Sequence, residues 1–154
     1  SQFPDELILS RFILYLKGEI IMTERLELYK CNICGNLVEV ILSGVGELVC
    51  CGEPMEYLEA KKNDSEYGEK HVPVFSATDN QGEEVRVGST LHPMTEEHYI
   101  QFVETIAKDR RRTELEYFYP SDEPIMMIKD KLGLEKARAF CNLHGLWDSS
   151  PEGE

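Results

Sequence analysis

All four histidines and all five cysteines of this chain fall inside short motifs with metal-ligand spacing. Cys31, Cys34, Cys50 and Cys51 form one group, in CNICG and CCG. His71, His92, His98, Cys141 and His144 form the other, in EKHVP, HPMTEEH and CNLH. A chain that commits every soft donor in this way must fold so that residues far apart in sequence meet at two points. The first set is all thiolate. The second combines four imidazoles and a thiolate, which exceeds the four ligands of a structural zinc site. It is the second set that points to function.

Composition narrows the rest. At 154 residues the chain has room for one or two small domains, and an apolar fraction of 42% suffices for a packed core. No apolar run is long enough to cross a bilayer; the nearest, Leu7–Leu16, is broken by Arg11. It also lacks the basic start and small-residue cleavage site of a signal peptide, so a cytoplasmic location is expected. An odd number of cysteines without a secretion signal favours reduced thiolates over a disulfide framework. A net charge of −13 repels nucleic acid. The one basic run, Lys108 with Arg110, Arg111 and Arg112, reads as a solvated turn, with a partner-binding patch as the alternative.

Along the chain, residues 1–21 carry no ligand and no clear period, and Met22 opens MTERLELYK like a natural start. The first 21 residues are either a non-native extension or an amphipathic arm. Residues 22–58 form a small unit, with strands expected at Leu37–Leu42 and Glu47–Cys50 around the turn Ser43–Gly46. So small a unit needs a staple, which thiolate-bound metal would supply. Residues 59–68 (EAKKNDSEYG) read as a linker. Beyond it, short β-rich runs are expected at His71–Ala77, Glu83–Val87, His98–Thr105, Thr113–Tyr119 and Pro124–Ile128. Their spacing predicts a β-sandwich over residues 69–154, with Leu134–Phe140 ambiguous between helix and strand.

A C-x-x-C turn places two thiolates on one metal, and a later pair completes a tetrahedral set that suits iron or zinc. Here the later pair is adjacent, and neighbouring side chains of a strand point to opposite faces. Cys50 and Cys51 reach one metal only if the backbone bends, which Gly52 permits. In the second set, Cys141 and His144 form a C-x-x-H clip closed by Gly145. Four nitrogens in a plane and one axial sulfur would leave a sixth position open for a small redox ligand.

These residues resemble the desulfoferrodoxin family, the two-iron form of superoxide reductase. CNICG, CCGEPM, EKHVPV, HPMTEEHYI and CNLHGLW appear in the family's order, and the CNICG-to-CCG portion resembles desulforedoxin, a rubredoxin-type module. The resemblance implies a mainly β protein: a small desulforedoxin-like metal domain followed by a seven-stranded immunoglobulin-like β-sandwich. It implies two irons, one Fe(Cys)4 on Cys31, Cys34, Cys50 and Cys51. The other is Fe(His)4(Cys), with His71, His92, His98 and His144 equatorial and Cys141 axial. It also implies a homodimer, a rubredoxin-like electron donor, and one-electron reduction of superoxide to hydrogen peroxide. Glu69 and Lys70 of the EKHVP motif are the implied catalytic residues. Lys70 would attract the anion to an acidic protein, and Glu69 would take the open position once the iron is oxidised. An electron-transfer protein with closed sites, a zinc-ribbon interaction module and a dismutase are the competing readings.

Overall fold

The structure is a computed structural model that describes residues 21–63, 66–80 and 82–151. The expectations for residues 1–20 lie outside this range. The chain divides after Leu58 into two compact units. No helix among the described residues is long and apolar enough to cross a membrane.

The first unit is built from very short strands: β1 (Leu28–Lys30), β2 (Leu37–Glu39), β3 (Val49–Cys50), β4 (Glu53–Pro54) and β5 (Glu56–Tyr57). They form a three-stranded sheet in the order β2-β1-β5 and a separate β3-β4 hairpin. Leu26, Leu28, Tyr29, Cys31 and Val40 are buried at its centre. The expected strands Leu37–Leu42 and Glu47–Cys50 are shorter than their β-rich sequence suggests. The cause is visible at Ile41 and Leu42, which are 70% and 83% exposed and have no partner strand among the described residues. β-propensity without a packing surface does not extend a strand.

The second unit holds seven strands: β6 (Pro73–Ala77), β7 (Glu83–Val87), β8 (Ile100–Ala107), β9 (Thr113–Tyr117), β10 (Ile125–Ile128), β11 (Leu134–Cys141) and β12 (Gly145–Ser149). They pair antiparallel into sheets of three (β10-β7-β6) and four (β12-β11-β8-β9). Val85, Val87 and Met126 of the first sheet pack against Ile100, Val103, Ala137 and Ala139 of the second. Side chains alternate along a strand, so β11 sends Ala137, Ala139 and Cys141 inward and Arg138 and Phe140 to the other face. There Arg138 lies opposite Glu104 of β8 in a buried ion pair, and Phe140 stacks on Phe102 with centroids 5.5 Å apart.

Leu134–Phe140 is therefore strand, because it is the partner of the long central β8. The strand expected from His71 starts later: Gly68–His71 is a single helical turn, α1, and β6 begins at Pro73. Gly68 packs against the carbonyl of Asn63, where an added Cβ would lie 2.7 Å from the oxygen. The basic run forms the exposed turn between β8 and β9. The expected linker is not free throughout. Lys61 bridges in parallel to Trp147 of β12, donating its amide to the Leu146 carbonyl at 2.9 Å.

Candidate metal centres

In the first unit the four sulfurs lie within 4.8 Å of one another. Cys31 follows β1, and its Sγ accepts from the Cys34 amide at 3.5 Å. That amide, followed by the amide of Ile33, holds the Cys31 thiol down at about 6, so it is readily a thiolate. Cys51 and Gly52 form the two-residue loop of the β3-β4 hairpin, with φ of 53° and 78°. Two left-handed residues make a type I′ hairpin turn. The bend expected at Gly52 thus begins at Cys51 itself, and it swings Cys51 onto the side of Cys50. Cys34 and Cys50 sulfurs are 3.6 Å apart, Cys50 and Cys51 sulfurs 4.0 Å. These spacings are too long for a disulfide and match the roughly 3.8 Å edge of a tetrahedron with metal–sulfur bonds of about 2.3 Å. Hydrogen bonding to the sulfurs of Cys34, Cys50 and Cys31 pushes the Cys51 thiol up to about 12. Four sulfurs this close all ionise only with a cation among them, and the donor set fits one.

The second set gathers at one end of the sandwich. α1 delivers His71 just before β6, and His92 follows the end of β7. His98 precedes β8, Cys141 ends β11, and His144 immediately precedes β12. Opposite Phe140 and Cys141 the register shifts by one residue, leaving Gln101 of β8 without a partner on β11, and Gly145 closes the turn after β11 with φ of 77°. Asn142 ties two ligand loops together: its Oδ1 accepts from the Tyr99 amide at 2.9 Å and its Nδ2 donates to the Glu97 carbonyl at 3.0 Å.

His71, His92, His98 and Cys141 offer ligand atoms within 4.8 Å of one another. His144 joins them, its Nδ1 lying 3.0 Å from His71 Nε2, 3.2 Å from His98 Nε2 and 3.8 Å from Cys141 Sγ. The tautomers follow from the outer contacts. His71 Nδ1 donates to the Tyr67 carbonyl at 2.8 Å, and His92 Nδ1 donates to the Pro93 carbonyl at 2.6 Å. Both Nε2 atoms then carry lone pairs, and these face each other at 3.0 Å. Two lone pairs held that close repel unless a cation lies between them, so the geometry fits a metal. Burial lowers the proton affinity of His71 and His98 and brings His92 down to about 4, keeping the imidazoles neutral and able to coordinate. Burial also raises the Cys141 thiol, partly offset by the amides of His144 and Leu143 and by the charge of Lys61. His71, His92 and Cys141 are buried, whereas His98 and His144 are half-buried, so the cluster has a closed end and an open end.

Glu69 and Lys70 are both exposed on α1, next to His71. The Glu69 carboxylate accepts from the Thr90 hydroxyl at 3.0 Å, and its carbonyl accepts from the Ser89 amide at 2.9 Å. Lys70 adds to the charge that depresses His98, after burial and His144. Three neighbours of the site escaped the motif reading. Trp147 stacks on His71 with centroids 4.8 Å apart, Tyr67 lies over His144 at 5.1 Å, and Lys61 donates to the His144 carbonyl at 2.9 Å. Trp147 alone had a signal, as the last residue of CNLHGLW, although its contact with His71 was not read from it.

Comparison with known proteins agrees with this geometry. Residues 23–58 match the desulfoferrodoxin N-terminal domain, and residues 63–150 match the main desulfoferrodoxin domain. Desulfoferrodoxin of Syntrophotalea carbinolica is 48% identical over 128 residues, covering 83% of this chain and 98% of that protein. A superoxide reductase of Pyrococcus abyssi is 30% identical over 56% of this chain and 90% of its own length. The fold is similar to the crystal structure of the superoxide reductase from Treponema pallidum, with a TM-score of 0.59 and 22% identity, over 85% of this chain and 98% of that one.

Proposed function

This chain belongs to the desulfoferrodoxin family, and from that premise we propose that it reduces superoxide to hydrogen peroxide by one electron. One observation carries the reading: five donors, four imidazole nitrogens and the Cys141 sulfur, converge on one point with an open side at His98 and His144. Iron held by His71, His92, His98, His144 and Cys141 would supply the electron, with the thiolate as its strongest donor. The carbonyls of Tyr67 and Pro93 hold His71 and His92 with their Nε2 lone pairs turned inward. Lys70, exposed beside the ligands, offers local attraction to an anion that the net charge of −13 repels. Glu69 is parked on Thr90, and its release is the motion by which its carboxylate would reach the open side and displace product.

The Cys31, Cys34, Cys50 and Cys51 set would hold a second iron in the small unit. A rubredoxin-like carrier is the expected source of electrons. A reducing, cytoplasmic setting is the one in which five cysteines stay available as thiolate ligands. A homodimer is supported by apolar side chains exposed on the first unit among the described residues: Ile41, Leu42, Val45 and Val49 are 70%, 83%, 72% and 59% exposed.

Product stoichiometry tests the function. Protein reduced anaerobically and mixed with superoxide should form one peroxide per superoxide and no dioxygen. One peroxide and one dioxygen for every two superoxides would make it a dismutase. Reaction at the spontaneous rate would leave an electron carrier.

A further inference from the structure

Residues 59–68 carry no ligand motif, yet one of them reaches the His4Cys centre. Lys61 runs parallel to β12, its amide bonded to the Leu146 carbonyl at 2.9 Å and its carbonyl accepting from the Asp148 amide at 3.2 Å. This bridge aims consecutive lysines at different targets. Lys62 pairs with the buried carboxylate of Asp148. Lys61 donates to the His144 carbonyl at 2.9 Å, where the Trp147 indole donates as well, at 3.1 Å. The Lys61 ammonium lies 5.2 Å from the centroid of the Trp147 ring, and that ring is stacked on His71 at 24°. One side chain therefore touches the backbone of one ligand and the indole that backs another.

We propose that Lys61 is a positioning residue of the His4Cys centre. It fixes the His144 turn through its carbonyl and places a permanent positive charge beside the donors, which raises the reduction potential of iron held there. The inference rests on the proposed iron site and deepens it. Its sign follows from electrostatics. The oxidised centre carries one more positive charge than the reduced centre, so a nearby cation destabilises the oxidised form more. Lys61 is solvent-exposed, so salt partly screens the effect.

The test compares the midpoint potentials of both irons in wild type, Lys61→Met and Lys61→Arg, with iron content measured on each. Lys61→Met keeps the apolar stem and removes the charge. It should shift the second centre to a more negative potential and leave the Fe(Cys)4 centre, an internal reference, unmoved. Lys61→Arg should restore most of the shift. Loss of the second iron in Lys61→Met with retention in Lys61→Arg would support the same role. An unchanged potential in Lys61→Met at full occupancy would overturn it, as would equal shifts or equal iron loss in both variants. A wild type whose second site takes up no iron would instead overturn the proposed function, and this role with it.

Discussion

Cys141 combines two demands on one side chain. It is fully buried in the sandwich core among Ala137, Ala139 and Val103, and it faces the histidine cluster. Cys141→Ser keeps the volume and removes the soft donor, so superoxide consumption should fall to the spontaneous rate with the far-ultraviolet circular dichroism unchanged. Retained turnover would remove the thiolate from the mechanism. Lys70 is a different case, because it is exposed and acts through its field. Lys70→Ala should slow the bimolecular rate by about tenfold at low salt, the lower range of steering effects, and weaken its salt dependence. Iron content should not change, and stopped-flow rates across ionic strength would show it. Cys141 and Lys70 were legible because each lies in a short motif, CNLH and EKHVP. Lys61 and Tyr67 were not, because they reach the site through a backbone bridge and a ring contact that leave no spacing signature.

At the scale of elements, turns decide where ligands point. Gly88 sits at φ of 88° just after β7, and an added Cβ would lie 2.3 Å from the Thr90 carbonyl and 2.7 Å from that of Lys70. Neither contact can relax by a side-chain rotation. Gly88→Ala should cost roughly 1–3 kcal/mol or more and disturb α1, seen as a lower melting temperature together with loss of the second iron. The Arg138–Glu104 pair across β8 and β11 makes a contrasting prediction. Arg138→Met strands a buried carboxylate and should cost about 3–5 kcal/mol, whereas the double change Arg138→Met with Glu104→Met should recover much of it in urea titrations. Alternation and turn residues revealed most of the sandwich: Glu83–Val87 is strand as expected, and Thr113–Tyr119 is strand through Tyr117. Strand β12 was hidden because its sequence, GLWDS, mixes a glycine, a tryptophan and a charge. Its strand character comes from pairing with β11, a tertiary cause. The helical turn at His71 was missed for the same kind of reason, since close packing of Gly68 on Asn63 overrides local preference.

For the whole molecule, the two units differ in what holds them together. The second has its own two-sheet core, whereas the first has strands of two or three residues and a handful of buried side chains. Stripping metal should therefore melt the first unit and leave the second folded, giving two separate transitions in calorimetry of the metal-free protein. A single cooperative transition would show that the first unit stands without its metal.

The donor sets also differ in how far the chain must travel to close them. Cys31 and Cys50 are 19 residues apart, a separation that a searching chain closes readily. His71 and His144 are 73 residues apart, and they meet only after β6 to β12 have found their partners. The thiolate site can capture its ion early and nucleate the first unit around it. The histidine site has no donors in place until those strands pair, so strong binding there is expected only in the folded sandwich, whereas the thiolate site needs only a short stretch of chain.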